Sequence, residues 1–330
     1  MIACLDGSAA EEIRTTAAEV AVPERVSASA ESLATLELVS EDAAGAAYVY
    51  QTASFEFRSG EKLAGSVMKE IARTFEATRE LVGVLPWSID CRSPAPQERY
   101  RAALYPTRDE YIRNGGPENS GGVYSTGDKI FKVPFPSLGL EKRGKSWFRD
   151  GNFSNDTLVH EITHQLMHEQ IPRMPIWAIE GTAEYTSMLP FRAGTFRTDG
   201  HKNAFKEYIG RRMKQGVPDN LGSLARHMGL SHEAWHREAL QPMAQRRLYA
   251  LSALLVYYFS HLDGAGDGAR FRAFMAKVAE DIRNRAPYGE FTTLPFRHQA
   301  LLFDGRSPAE LAGQIRAGLR SIGVRVEIAE

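Results

Sequence analysis

Apolar residues recur at helical spacing over residues 61–82, where Leu63, Val67, Ile71, Phe75 and Leu81 fall near one face, so an amphipathic helix is predicted there. On either side the period changes to two. Residues 46–57 alternate, with Tyr48, Tyr50 and Phe55 at β-favouring positions, and read as one strand; 100–105 reads as another. Residues 108–113 give a helical turn that Gly115-Gly116-Pro117 ends. Short strands follow over 123–125 and 129–135, joined around Thr126-Gly127-Asp128. Residues 1 to about 43, rich in Ala, Ser and Glu, show little periodicity and predict an arm with one strand near 33–39.

Beyond Phe148 the pattern turns helical. Asp156 can cap a helix that runs to about Glu169 and stops at Ile171-Pro172. A second helix begins near Pro175 and ends before Pro190. Further helices are expected over 221–227, 231–240, 246–261, 268–284 and 308–319, with a closing strand over 324–328. The apolar run 248–259 is shorter than the roughly 18–20 residues of a membrane span and reads as a buried core helix. The fold class is therefore α+β, in three parts: an N-terminal arm (1–43), an α+β subdomain (44–190) and a mainly helical subdomain (191–330).

Composition narrows the function. The chain has 330 residues, 43% hydrophobic and 25% charged, ordinary for a soluble globular protein and ample for a sizeable core. Its 40 basic and 41 acidic side chains leave a net charge of −1, which argues against nucleic acid as a partner. With only Cys4 and Cys91, no disulfide framework and no cysteine-rich zinc module is possible. The start lacks the basic and apolar regions of a complete signal peptide. Ile2-Ala3-Cys4 does resemble the end of a bacterial lipoprotein cleavage box, which would make Cys4 a lipidation site if a segment preceded it; an ordinary cysteine in a loose arm is the plainer reading.

Candidate chemistry lies in His160-Glu161-Ile162-Thr163-His164. Two histidines four apart on a helix differ by about 40° in direction and about 6 Å in height, so both rings can reach one ion. Glu161 stands beside them, placed to hold a water and take its proton, and a zinc ion would bring that water's pKa toward neutrality. The chain contains a second copy, His232-Glu233-Ala234-Trp235-His236, so the pentapeptide alone decides nothing. Surroundings separate the two. A buried ion needs uncharged neighbours. Thr157-Leu158-Val159 and Gln165-Leu166 supply them, whereas Arg237 and Glu238 follow the second copy, as on a solvated helix capped by Ser231.

The first copy also has a third ligand in reach. Trp177-Ala178-Ile179-Glu180-Gly181-Thr182-Ala183-Glu184-Tyr185 follows a proline-containing turn, so an antiparallel helix can bring Glu180 against His160 and His164. That set leaves a fourth position for water, the catalytic rather than the structural arrangement. Gly181 would let this helix approach the metal helix closely. Glu184, one turn beyond Glu180, could accept the free ring N–H of a ligating histidine. His168 lies roughly 12 Å along the axis from His160, too far to share the ion.

These residues resemble the gluzincin metallopeptidases, and among them the bacterial peptidase MA-like families with a Trp-x-x-Glu-Gly-x-Ala-Glu-Tyr block after the zinc helix. The resemblance is sharp over 155–187 and looser over roughly 46–262. It implies a thermolysin-like catalytic core and one zinc per chain held by His160, His164 and Glu180. Glu161 would be general base and acid, the substrate a peptide or protein, and the setting secreted, periplasmic or cell-envelope. Aminopeptidase N-like members use a tyrosine in a Tyr-x-x-Gly-Ala helix to stabilise the oxyanion, a pattern similar to Tyr249-Ala250-Leu251-Ser252-Ala253. Tyr249 is either that donor or an aromatic opening a core helix. Gly115-Gly116-Pro117-Glu118-Asn119 departs from the amine-binding strand of those enzymes and reads as a turn, so endopeptidase and aminopeptidase remain equal expectations. The better edge strand for an extended peptide is expected at 129–135. Two rivals stand beside the peptidase: a zinc-binding protein without turnover, and a non-peptide hydrolase on the same core.

Overall fold

The alternation over 46–57 resolves into a hairpin rather than one strand. Ala47–Gln51 and Phe55–Ser59 run antiparallel with Tyr50 opposite Phe57. The chain reverses at Thr52, whose N–H donates to the Phe55 carbonyl at 2.9 Å. The computed structural model describes residues 22–34, 37–42, 47–87, 89–284 and 294–330. Within them these two strands belong to a six-stranded mixed sheet, in the order Glu37–Asp42, Ala47–Gln51, Phe55–Ser59, Tyr100–Tyr105, Ile130–Pro134, Val123–Ser125. Three neighbouring strands, Phe55–Ser59, Tyr100–Tyr105 and Ile130–Pro134, are parallel. A parallel pair needs a long crossover, and helix Gly65–Val84 lies in the first one. It packs on the sheet through Phe75, whose ring meets Phe55 and Phe57 edge-on at 5.2 and 5.0 Å.

The edge strand beside the helical half is Val123–Ser125, not the segment 129–135 expected there. Ile130–Pro134 is paired on both sides, parallel to Tyr100–Tyr105 and antiparallel to Val123–Ser125. Its Phe131 and Val133 are buried, so the more apolar arm of this hairpin took the interior place and left the shorter arm outside.

Other expectations shift in detail. Helix Asp156–Leu166 is shorter than predicted, and Asp156 is its first residue rather than its cap. Residues 220–223 form a strand, parallel to Glu327–Ala329, where a helix was expected. Gly222 at φ +92° cannot sit in a helix, and Ser223 then caps a helix that starts only at Leu224, its side chain accepting from the Arg226 N–H. In the N-terminal region Ala30–Ala34 is helical and the strand starts at Glu37. Arg25–Ser27 pairs with Thr195–Arg197. A hairpin at Leu140–Arg143 and Ser146–Arg149 had no sequence signal. Cys4 lies outside the described residues. Cys91 is a free thiol that burial pushes up to about 12.

Three helices stack where the two halves meet. Ile176–Met188 lies between Asp156–Leu166 and Pro242–His261, and every one of its residues except Ser187 is buried. A helix covered on all faces shows no amphipathic stripe. Gly181 faces Pro242–His261 rather than Asp156–Leu166: a Cβ there would stand 2.4 Å from the Ser252 carbonyl oxygen. The close approach foreseen from this glycine is real, but with the opposite neighbour. Among the described residues no helix is long and apolar enough to cross a membrane.

Candidate metal centre

Helix Asp156–Leu166 buries Leu158, Val159, Ile162 and Leu166 in the core. Gln165 ties it to the central sheet by donating to the Arg101 carbonyl at 2.8 Å. Anchoring that face turns His160 and Glu161 toward a cleft of about 560 Å³, whose lining also includes Glu184 and Tyr249, and leaves His164 one turn on beside His160. The neighbouring helix brings Glu180 to the same place. His160 Nε2 and His164 Nε2 are 3.0 Å apart, and Glu180 Oε2 is 3.4 and 3.3 Å from them. Donor atoms about 3.3 Å apart are what a tetrahedral ion with bonds of about 2.0–2.1 Å requires. Glu180 Oε2 is buried without a hydrogen bond of normal geometry, and it faces the two imidazole Nε2 atoms, which lie within hydrogen-bonding distance of each other. This is the one His/Cys/Asp/Glu group of metal-holding geometry among the described residues.

Electrostatics at that point favour a cation. Burial alone would depress the His160 imidazolium, but Glu180, Glu184 and Glu161 overcome it and lift the group to about 9. Burial works against a charged Glu180, yet His164 and His160 hold its carboxyl well below the ordinary range. Glu161 moves the other way. Burial raises it, more than the two imidazoles and the Tyr124 N–H lower it. A carboxyl so raised is closer to the pKa of a general base than an exposed glutamate is.

Glu184 lies where the sequence placed it, with Oε1 3.4 Å from His160 Nδ1. Its other oxygen accepts from Arg212 at 2.9 Å. Arg212 had no sequence signal beyond a basic pair ending helix His201–Lys214. Tyr249 sits with its ring 6.0 Å from the His160 ring and packs edge-on against Trp235 at 5.8 Å. Glu180 is the main reason its phenol is held strongly toward the protonated form, with burial adding to it.

Tyr124 was also missed. The edge strand turns its outer side to helix Asp156–Leu166, so the Tyr124 N–H donates to Glu161 Oε2 at 3.2 Å. Its hydroxyl is 2.7 Å from His168 Nδ1. His168 thus fastens the edge strand instead of joining the donor set. The second His-Glu-x-x-His copy is a surface helix, His232–Ala239: Glu233 pairs with Arg237 one turn on, and Trp235 supplies the buried side chain. The turn at 115–119 leaves Asn119, with Ser120 and Gly121, on the cleft wall.

Comparison with known proteins adds no relative: no protein-family model matches the chain, and no curated protein matches it.

Proposed function

We propose that this chain is a zinc-dependent peptidase with a thermolysin-like catalytic core. The observation that carries the reading is the convergence of His160, His164 and Glu180 within 3.0–3.4 Å, with Glu161 beside them and itself outside the donor set. His160, His164 and Glu180 would hold the ion, which supplies a Lewis acid for a carbonyl and acidifies water. Glu161 takes a proton from the attacking water and returns it to the leaving amine. Glu184, steadied by Arg212, orients His160. Tyr249 donates its hydroxyl to the oxyanion, a role its strongly raised pKa suits because the proton stays on oxygen. The outer side of Val123–Ser125 pairs with no strand but gives its Tyr124 N–H to Glu161, so an extended peptide lying across the cleft would meet only the backbone groups left beside that bond. A protein that only stored or sensed the metal would gain nothing from a glutamate at 161, since that carboxylate is not among the donors.

The test joins metal content with turnover. Wild type is expected to bind one zinc per chain and to cleave members of an unbiased peptide library. Glu180→Ala should lose the metal. Glu161→Gln should keep it and lose about 10²–10⁴-fold in rate. Stoichiometric zinc without cleavage by the wild type would replace the peptidase with the binding protein or a hydrolase of other substrates. No zinc would remove the reading altogether.

A further inference from the structure

The wall of the cleft away from the donor set carries charge that the catalytic reading does not use. Arg211 and Arg212 reach it from the end of His201–Lys214, and Arg246 from the start of Pro242–His261. Two of the three are matched. Arg212 holds Glu184 at 2.9 Å, and Arg211 faces Asp156 at 3.5 Å. Arg246 forms no ion pair among the described residues. Its Nη1 donates to the Gln215 carbonyl at 2.7 Å, and its other N–H groups have no protein acceptor among those residues. Gln215 and Gln245 line the cleft with it.

Counting charges shows what is missing. A divalent ion on two neutral imidazoles and Glu180, with Glu161 ionised, makes the metal end neutral. Glu184 with Arg212, and Asp156 with Arg211, are neutral as pairs. One positive charge is left over, on Arg246. A guanidinium presents its donors in a fork that matches a carboxylate.

We propose that the cleft selects substrates through a carboxylate bound at Arg246, with Gln245 and Gln215 as flanking amide donors. The position relative to the bond cleaved rests on the peptidase reading; the binding of the carboxylate does not. Arg246 and Tyr249 are three apart on one helix and so share a face, about 4.5 Å apart along its axis. The Tyr249 ring is 6.0 Å from the His160 ring. Arg246 and His160 line the same cleft, so a carboxylate at Arg246 belongs to a residue within a few positions of the scissile bond. The group recognised is an Asp or Glu side chain at such a position, or a free C-terminal carboxylate there.

Binding is measured first, on zinc-loaded Glu161→Gln protein, by calorimetry with four heptapeptides of one sequence. They carry Glu or Gln at one position and a free or amidated C-terminus. One carboxylate-bearing source is expected to bind about tenfold tighter than its neutral counterpart, and which pair shows the gap tells side chain from terminus. The gap should close in the Glu161→Gln, Arg246→Gln double variant, and in part return with Arg246→Lys. Equal binding of all four peptides, or a gap that survives Arg246→Gln, overturns the proposal. Wild type is then assayed for cleavage of the same peptides. A binding gap without cleavage would sink the peptidase reading and leave the carboxylate site standing. With cleavage, the ratio of kcat/KM for acidic over neutral peptide should fall about tenfold in Arg246→Gln.

Discussion

Two glycine-to-alanine changes, both in helices, should move stability in opposite directions. At Gly181 the added methyl would stand 2.4 Å from the Ser252 carbonyl oxygen, 2.8 Å from the Ser252 carbonyl carbon and 2.7 Å from a Val256 methyl. That is roughly 1 Å short of ordinary contact. Two of the three obstacles are backbone, so no rotamer change relieves them and the two helices must separate. Overpacking of this kind costs roughly 1–3 kcal/mol, and the rigid obstacle puts Gly181→Ala at the upper end. Alanine regains about 1 kcal/mol of helix propensity, leaving a net loss of about 2 kcal/mol. Glu180 is the adjacent residue, and ligand distances tolerate only about 0.2 Å, so zinc affinity should also fall at least about tenfold. Gly210, in helix His201–Lys214, has open space where its methyl would go. Gly210→Ala should therefore stabilise by about 0.4–1 kcal/mol. Urea unfolding of both variants in the presence of a chelator, followed by competitive zinc titration, gives the four numbers. If Gly181→Ala shifts the midpoint upward as Gly210→Ala does, with zinc affinity intact, the close approach of the two helices is not what that glycine is for.

Glu184→Gln should weaken zinc binding by about 10–100-fold with the fold intact, and Arg212→Met should do so by less because Glu184 keeps its bond to His160; chelator competition ranks the two, and equal affinities in all three proteins would deny Glu184 a positioning role. Tyr249→Phe should lower kcat by about 10²–10³ with KM little changed, whereas a loss of stability without a fall in kcat would make Tyr249 a packing residue. Acid should also weaken the fold through two histidines. Burial holds His227 and His261 down at about 3, against 6.5 for a free imidazole. Between those values the unfolded chain binds the protons and the folded one does not, so stability is complete above pH 6.5 and falls as pH drops toward 3. At about 1.4 kcal/mol per unit, each costs up to about 2–3 kcal/mol by pH 4.5. Urea midpoints at pH 7.5 and 4.5 should show a smaller drop in His227→Gln than in wild type; an equal drop would remove His227 from the account.

Local chemistry was legible where one element carries it. The relation of His160 to His164, and of Glu180 to Glu184, is fixed by helix geometry, so spacing alone placed each pair on one face. The contrast between the two His-Glu-x-x-His copies was legible too, because Arg237 and Glu238 declare a solvated helix while Leu158, Val159 and Leu166 declare a buried one. Strand and helix existence followed the same periodic signal. The 46–57 hairpin and the 220–223 strand escaped it, since a two- or three-residue reversal at Thr52-Ala53-Ser54 and a single left-handed Gly222 leave the apolar pattern around them nearly unchanged.

Everything that depends on which element lies next to which was decided by tertiary packing. The antiparallel return that carries Glu180 to 3.3 Å from His164 could be argued from the turn, but not the helix against which Gly181 rests. Ile130–Pro134 is the longer and more apolar arm in the sequence, but alternation alone did not show that it would lie inside and Val123–Ser125 at the edge, since the competition for the buried place is settled only in the assembled sheet. Arg212 comes to Glu184, and Arg246 to an unmatched place in the cleft, from helices folded over the site from the C-terminal side. A sequence displays period and residue type. The pairing of distant charges is set by the packing of whole helices, each of whose apolar faces fits several neighbours, and is fixed only when all of them are in place.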